Sequence, residues 1–205
     1  MKAMKRMNFR KMFLLSALGA LGCMSAAHGQ FAAYGTVNGA KVNGITCTDP
    51  QHICASNDGS VRPYGGTLGV SYDFRSYGPM RLGADLRTSF MNTNKRADVY
   101  QGGTGIVRNY TGLAGARGTF NTRYKILRPY VQISGGFSRT NAIVPTPGLF
   151  QTFGLVEGFA GLDLAVASNV DLRAIEFGAG EMFGSSSHST QSIGLGIVFH
   201  SAREK

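Results

Sequence analysis

Between residues 80 and 90 the chain alternates strictly. Met80, Leu82, Ala84, Leu86, Thr88 and Phe90 fall on one side of a two-residue period, and Arg81, Gly83, Asp85, Arg87 and Ser89 on the other. A helix would mix the two sets, whereas an extended strand sends them to opposite faces. The same template predicts seven further strands. Phe31–Ala40 is weakly patterned. Gly66–Phe74 sets Leu68, Val70, Tyr72 and Phe74 against Thr67, Gly69, Ser71 and Asp73. Tyr110–Phe120 sets Ala114, Ala116 and Phe120 against Thr111, Arg117 and Thr119, and Leu127–Phe137 sets Val131, Ile133 and Phe137 against Arg128, Tyr130, Gln132 and Ser134. Thr152–Leu164 opposes Val156, Ala160, Leu162 and Leu164 to Glu157 and Asp163. Val170–Ala179 begins Val170, Leu172, Ala174 against Asp171 and Arg173, then slips at Ile175-Glu176-Phe177, where a β-bulge would restore the pattern. Ser192–Phe199 closes the series with Ile193, Leu195, Ile197 and Phe199 opposite Gly194 and Gly196.

The connections alternate in length. Residues 41–65, 91–109, 138–151 and 180–191 read as long polar or Gly/Ser-rich loops, and 75–79, 121–126 and 165–169 as short links. Eight strands joined in this way predict an all-β, antiparallel up-and-down transmembrane barrel, with long extracellular loops and short periplasmic turns. After residue 30 no apolar run approaches the roughly 18 residues of a membrane-spanning helix, but a barrel strand needs only about 9–11.

The two faces separate a membrane barrel from a secreted β-domain. On the apolar face the rings gather at strand ends, at Phe74, Phe90, Tyr110, Phe120, Phe137 and Phe199. That distribution suits the two interfaces of a bilayer, whereas a soluble core places its largest rings centrally. The polar face carries charge at mid-strand: Asp73, Asp85, Glu157, Asp163, Asp171 and Glu176 beside Arg81, Arg87, Arg117, Arg128 and Arg173. The interior of an eight-stranded barrel is just filled by side chains, so charges confined there must pair or stay hydrated. Arginine suits this role because its planar fork bridges several carboxylates. These eleven residues are therefore expected to form a lumen charge network.

The N-terminus changes how the charge is counted. Lys2, Lys5, Arg6, Arg10 and Lys11 precede an apolar run from Met12 to Met24 and the small residues Ser25-Ala26-Ala27-His28-Gly29. This is the layout of a secretory signal peptide, with cleavage expected before Gln30. A lipoprotein reading competes, since Ala20-Leu21-Gly22 precedes Cys23. With residues 1–29 removed, 16 basic residues face 11 acidic ones, a net charge of +5. No Lys/Arg cluster interleaved with aromatics remains, so nothing here points to nucleic acid. The expected organisation is a cleaved signal peptide (1–29), a barrel (30–200) and a short tail (201–205).

Cys47 and Cys54 close a short loop, and in an exported chain they are expected to form a disulfide. A metal site there would need more ligands than His52 and Asp49 supply. Gly102-Gly103-Thr104-Gly105 lacks the strand-to-helix setting of a nucleotide fingerprint. No cofactor is implied.

With its eight strands, its alternating connections and the closing Ile193-Gly194-Leu195-Gly196-Ile197-Val198-Phe199, the chain resembles the OmpA/OmpX-type outer-membrane barrels. It is particularly similar to the "outer membrane protein beta-barrel domain" group, whose alternating Leu/Arg and acidic pattern Val170-Asp171-Leu172-Arg173-Ala174-Ile175-Glu176-Phe177 resembles. The resemblance implies an outer-membrane location, contact with outer-membrane lipids, and recognition of the last strand by the barrel-assembly machinery. Here His200–Lys205 follow the terminal aromatic, which departs from that signal. Ser185-Ser186-Ser187-His188-Ser189-Thr190 faintly resembles the His-x-Ser motif of lipid A deacylase barrels, but Thr190 stands in the serine place and no acid can be assigned to the base. The expectation is a non-enzymatic outer-membrane protein of structural, adhesive or surface-interaction type. A narrow solute or ion channel and a lipid A-modifying enzyme are the alternatives.

Overall fold

The computed structural model describes residues 30–45, 59–95, 104–124, 126–142 and 149–201. The expected signal peptide (1–29) with Cys23, the Cys47–Cys54 pair and residues 202–205 lie outside the described residues.

The strands are β1 (Gln30–Ile45), β2 (Gly59–Val61), β3 (Tyr64–Tyr77), β4 (Met80–Lys95), β5 (Thr104–Phe120), β6 (Leu127–Thr140), β7 (Gln151–Ala167), β8 (Val170–Phe183) and β9 (His188–His200). From β3 to β9 each strand pairs antiparallel with the next in sequence, and β1 pairs with β3 on one side. On its other side β1 pairs with β9, from Ala32 opposite His200 to Val42 opposite Thr190. The sheet thus closes on itself as a barrel.

Nine strands make an eight-membered ring because β2 and β3 continue one another along β1. Val42 faces Val61, and Gly39 faces Tyr64. Arg62-Pro63 interrupts them, as proline has no N–H to give the ladder. The gap is bridged by Ala40 N–H donating to the Pro63 carbonyl at 2.8 Å.

One end of the barrel, the turn end, carries the two-residue links Gly78-Pro79 and Ser168-Asn169. Gly78 sits at φ +56, the left-handed region that a tight hairpin requires. At the opposite, loop end the strands run further than their patterning predicts. β4 continues five residues past Phe90, and β8 and β9 leave only 184–187 between them. The expected long loop at 180–191 is therefore a four-residue connection. Alternation does continue through it, with Met182, His188 and Thr190 inward and Glu181, Phe183 and Ser189 outward. Its Gly/Ser-rich composition masks the period.

The outer face is apolar from strand to strand. Leu86, Ile133 and Leu195 are each more than half exposed at mid-strand. Phe74, Phe137 and Phe199 lie toward strand ends on this face, joined by Tyr64, Tyr77 and Phe183, while Phe177 is an outward ring at mid-strand. Such a continuous apolar exterior is far larger than a soluble domain leaves uncovered.

The expected bulge is present. Arg173 faces Gly196 and Glu176 faces Gly194, so β8 has one residue more than β9 over this stretch. The extra residue resets the parity and turns both Arg173 and Glu176 inward.

Candidate functional site: a charged layer across the barrel interior

Alternation brings the polar face of every strand into the lumen, and eight strands leave these side chains in contact across it. Arg87 on β4 is engaged through all three nitrogens. Its Nε donates to Asp85 Oδ1 (3.1 Å), Nη1 to Glu176 Oε1 (3.1 Å), and Nη2 to Gln132 Oε1 (2.8 Å) and Glu176 Oε2 (3.3 Å). Arg173 donates from Nε and Nη2 to Asp163 (2.9 and 3.3 Å) and from Nη1 to Glu176 Oε2 (3.1 Å). Arg117 reaches Asp163 Oδ2 through Nη2 at 2.7 Å. Its Nε and Nη1 have no hydrogen-bond partner among the described residues.

Neutral groups complete the layer. Tyr34 OH donates to both oxygens of Asp85 (3.0 and 2.9 Å), Tyr130 OH donates to Glu176, and Gln132 Nε2 donates to Asp85 Oδ1 (2.7 Å). Rings cover the guanidinium faces. Arg87 lies 3.9 Å from the Phe159 centroid, Arg117 3.9 Å from Tyr130, and Arg173 lies against both Tyr34 (4.3 Å) and Tyr130 (4.7 Å). These contacts add to the ion pairs because the groups are desolvated. Three arginines thus meet three carboxylates, all nearly inaccessible to solvent. A buried pair is tolerated only when its geometry is good and its remaining protons and lone pairs are bonded. Apart from the Nε and Nη1 nitrogens of Arg117, this layer meets that condition among the described residues.

Two small cavities flank the layer. The turn-end cavity, about 20 Å³, is lined by Asp73, Arg81, Arg117, Arg128, Asp171 and His200 among others. Here Arg128 Nη1 bonds Asp171 Oδ2 (3.3 Å), His200 Nε2 lies 2.9 Å from the same oxygen, and Arg81 donates to Gln30 (2.7 Å). Asp73 is half-buried and shares this cavity with Arg81 and Arg117. The loop-side cavity, about 30 Å³, is lined by Glu157, Asn38, Thr67, Ser89 and Ser192 among others. Glu157 accepts from Ser192 Oγ (3.2 Å). Each of the eleven residues read from the sequence is therefore at an interior position. They separate into a bonded central layer (Asp85, Arg87, Arg117, Asp163, Arg173, Glu176), a turn-end group (Asp73, Arg81, Arg128, Asp171) and Glu157 above.

Sequence reasoning missed two parts of the interior. Tyr34 belongs to the weakly patterned first strand. Toward the loop end the interior holds an apolar cluster of Val42, Ile45, Val61, Val107, Leu113, Ala142, Phe153, Leu155, Phe159 and Met182. The parity of Glu157 and Asp163 would have found three of these, since Phe153, Leu155 and Phe159 share their face.

The Ser/His segment does form one contact, as Ser186 Oγ lies 2.6 Å from His188 Nε2. His188 is buried edge-on against Phe153 (5.5 Å), and its Nδ1 meets no hydrogen-bond partner among the described residues. A serine–histidine pair needs an acid at that nitrogen to orient and stabilise the base.

The fold and its interior define a closed, antiparallel eight-stranded barrel of the small outer-membrane type. No protein-family model and no curated protein matches the sequence. Solved structures share the architecture, two of them as follows. Neisserial surface protein A is 16% identical with a TM-score of 0.58, the match covering 82% of this chain and 96% of that one. The outer membrane protein OprG from Pseudomonas aeruginosa is 9% identical with a TM-score of 0.56, the match covering 86% and 98%. At these identities the likeness establishes the fold and nothing finer.

Proposed function

We propose that this chain is an integral outer-membrane protein whose barrel is a closed anchor, holding its loop-end segments at the cell surface for structural or adhesive contact. The observation that carries this reading is the central ion-pair layer. It joins β1, β4, β5, β6, β7 and β8 through the middle of the lumen. On its loop side buried apolar side chains pack into the lumen beside the small polar cavity, which argues against the narrow-channel reading. The apolar exterior supports insertion in lipid, and the outer-membrane fold neighbours support the choice of membrane. One of them is called a surface protein, in keeping with outward-facing loops.

The test is cell fractionation with heat-modifiable gel mobility, followed by planar-bilayer recording. The protein should sediment with outer membranes, change mobility on boiling and give no stepwise conductance. Steady conductance steps from wild-type protein would favour the channel. A change in lipid A mass on expression would overturn the non-enzymatic reading.

A further inference from the structure

Charge on the described residues is sorted by side. Of the acidic side chains, Asp73, Asp85, Glu157, Asp163, Asp171 and Glu176 are interior and only Glu181, on β8, faces outward. Of the arginines, Arg62, Arg75, Arg108, Arg123 and Arg139 are exposed. The interior is thus balanced within itself, and the outer surface is left strongly positive.

Two of these arginines occupy a formed surface. Tyr110 on β5 faces Arg139 on β6, and Arg108 lies two residues further along β5 on the same outward face. Diagonal neighbours of this kind are about 7–8 Å apart, close enough for two guanidinium groups to converge on one anion. Asn141, two residues past Arg139, fixes the β5 backbone at Arg108: its Oδ1 accepts from Arg108 N–H (2.6 Å), its N–H donates to Arg108 O (3.2 Å), and its Nδ2 donates to Ile106 O (3.0 Å). The Arg139 guanidinium lies over the Phe150 ring at 5.4 Å, Phe150 stacks on Tyr110 at 5.9 Å, and Phe90 meets Tyr110 edge-on at 6.0 Å. Aromatic belts fix the depth of a protein in the bilayer interface. By that rule Arg139, level with Tyr110, and Arg108, two residues beyond it, would lie at headgroup level on the loop-end side. Neither has a carboxylate partner among the described residues.

We propose that Arg108 and Arg139, backed by Phe150 and Tyr110, bind the phosphate of an anionic lipid headgroup at the loop-end interface. The planar forks of two arginines match a phosphate's oxygens, and clustered basic residues at a membrane surface select anionic lipid. This rests on the membrane reading given above.

The full-length protein, purified from membranes, would be reconstituted in phosphatidylcholine vesicles containing phosphatidylglycerol or lipid A. Native mass spectrometry would then read the lipids retained. Phosphate-bearing anionic lipid should be retained over phosphatidylcholine. Arg108→Gln with Arg139→Gln should cut that preference roughly thirtyfold, while Arg75→Gln at the turn end keeps it. Unchanged heat-modifiable mobility shows that the double variant is folded. Wild-type protein that never enters vesicles overturns the membrane reading and this proposal with it. Protein that enters but shows no lipid preference, or a double variant that keeps the preference, overturns the proposal alone. Loss of the retained lipid to millimolar inorganic phosphate would assign the site to a free anion and also overturn it.

Discussion

Arg87 on β4 and Glu176 on β8 are joined by two hydrogen bonds, 3.1 and 3.3 Å, although their strands stand four places apart in the ring of eight. The pair therefore spans the barrel's diameter, and the remaining bonds of each partner tie in neighbouring strands. Removing one member leaves the other's charge confined without its partner, which costs about 3–5 kcal/mol. Arg87→Ala should lower the urea midpoint of unfolding in lipid vesicles by a corresponding amount. Arg62→Ala, at an exposed site, should leave it unchanged. Replacing Arg87 and Glu176 together by methionine should cost less than the sum of the two single changes, because no lone charge remains. Small, equal effects from Arg87→Ala and Arg62→Ala would indicate a wet and open lumen.

Two tyrosines of the layer rest on glycines of the adjacent strand. Tyr34 faces Gly69, and Tyr130 faces Gly161. A Cβ on Gly161 would lie 2.5 Å from the Tyr130 ring, and one on Gly69 would lie 2.3 Å from the Tyr34 ring. Any side chain at either site must push the tyrosine off its carboxylate. Gly161→Val should destabilise the barrel by about 1–3 kcal/mol, the usual cost of overpacking. Gly35→Ala, whose Cβ would meet only Leu68 Cδ2 at 3.5 Å, should be tolerated. The ratio of folded to unfolded bands on unboiled gels across a urea series would compare them.

The barrel was legible because a two-residue period survives wherever the two faces differ in polarity. β4 shows this best, with Leu86 outside and Asp85 and Arg87 within. The first strand hid its register because small residues occupy both faces, Ala33, Gly35 and Gly39 outside against Ala32 and Thr36 inside. Tyr34, which holds Asp85, went unnoticed for that reason. The eleven charges were placed by parity alone, but parity says nothing about which acid meets which arginine. That pairing depends on the closure of the ring, which sets β4 opposite β8, and on the bulge that brings Glu176 round to Arg173. The apolar cluster is harder to read because its rings break the polarity contrast between the faces: Phe153 and Phe159 share the parity of Glu157 but not its polarity.

Cys47 and Cys54 lie in the connection between β1 and β2, outside the described residues. An exported chain meets an oxidising compartment, so the pair is expected to be oxidised. Mass analysis of the folded protein under non-reducing conditions should find two hydrogens missing. Two thiols open to alkylation would refute the pairing. Cys47→Ser with Cys54→Ser should leave the barrel's unfolding midpoint nearly unchanged, because the strand ladder closes without this loop.

Leu86 and Ile133 stand outward at mid-strand on β4 and β6, with relative exposures of 58% and 64%. In water such exposure would be costly along the whole belt, whereas in lipid it is the favourable state. Arginine at either position would place a charge near the bilayer midplane, at about 2–4 kcal/mol. Tyr124, in the turn after β5, lies toward the interface, where the same substitution costs only about 0–1 kcal/mol. Leu86→Arg and Ile133→Arg should therefore fold into vesicles with clearly reduced stability, and Tyr124→Arg should fold nearly as the wild type does. The measurement is the free energy of folding from urea into vesicles, with a parallel attempt in buffer without lipid. A protein that folds and stays monomeric in plain buffer, with all three variants equally stable, would show that the apolar face does not meet lipid. In the membrane case, the penalty should grow with distance from the aromatic rings at either end.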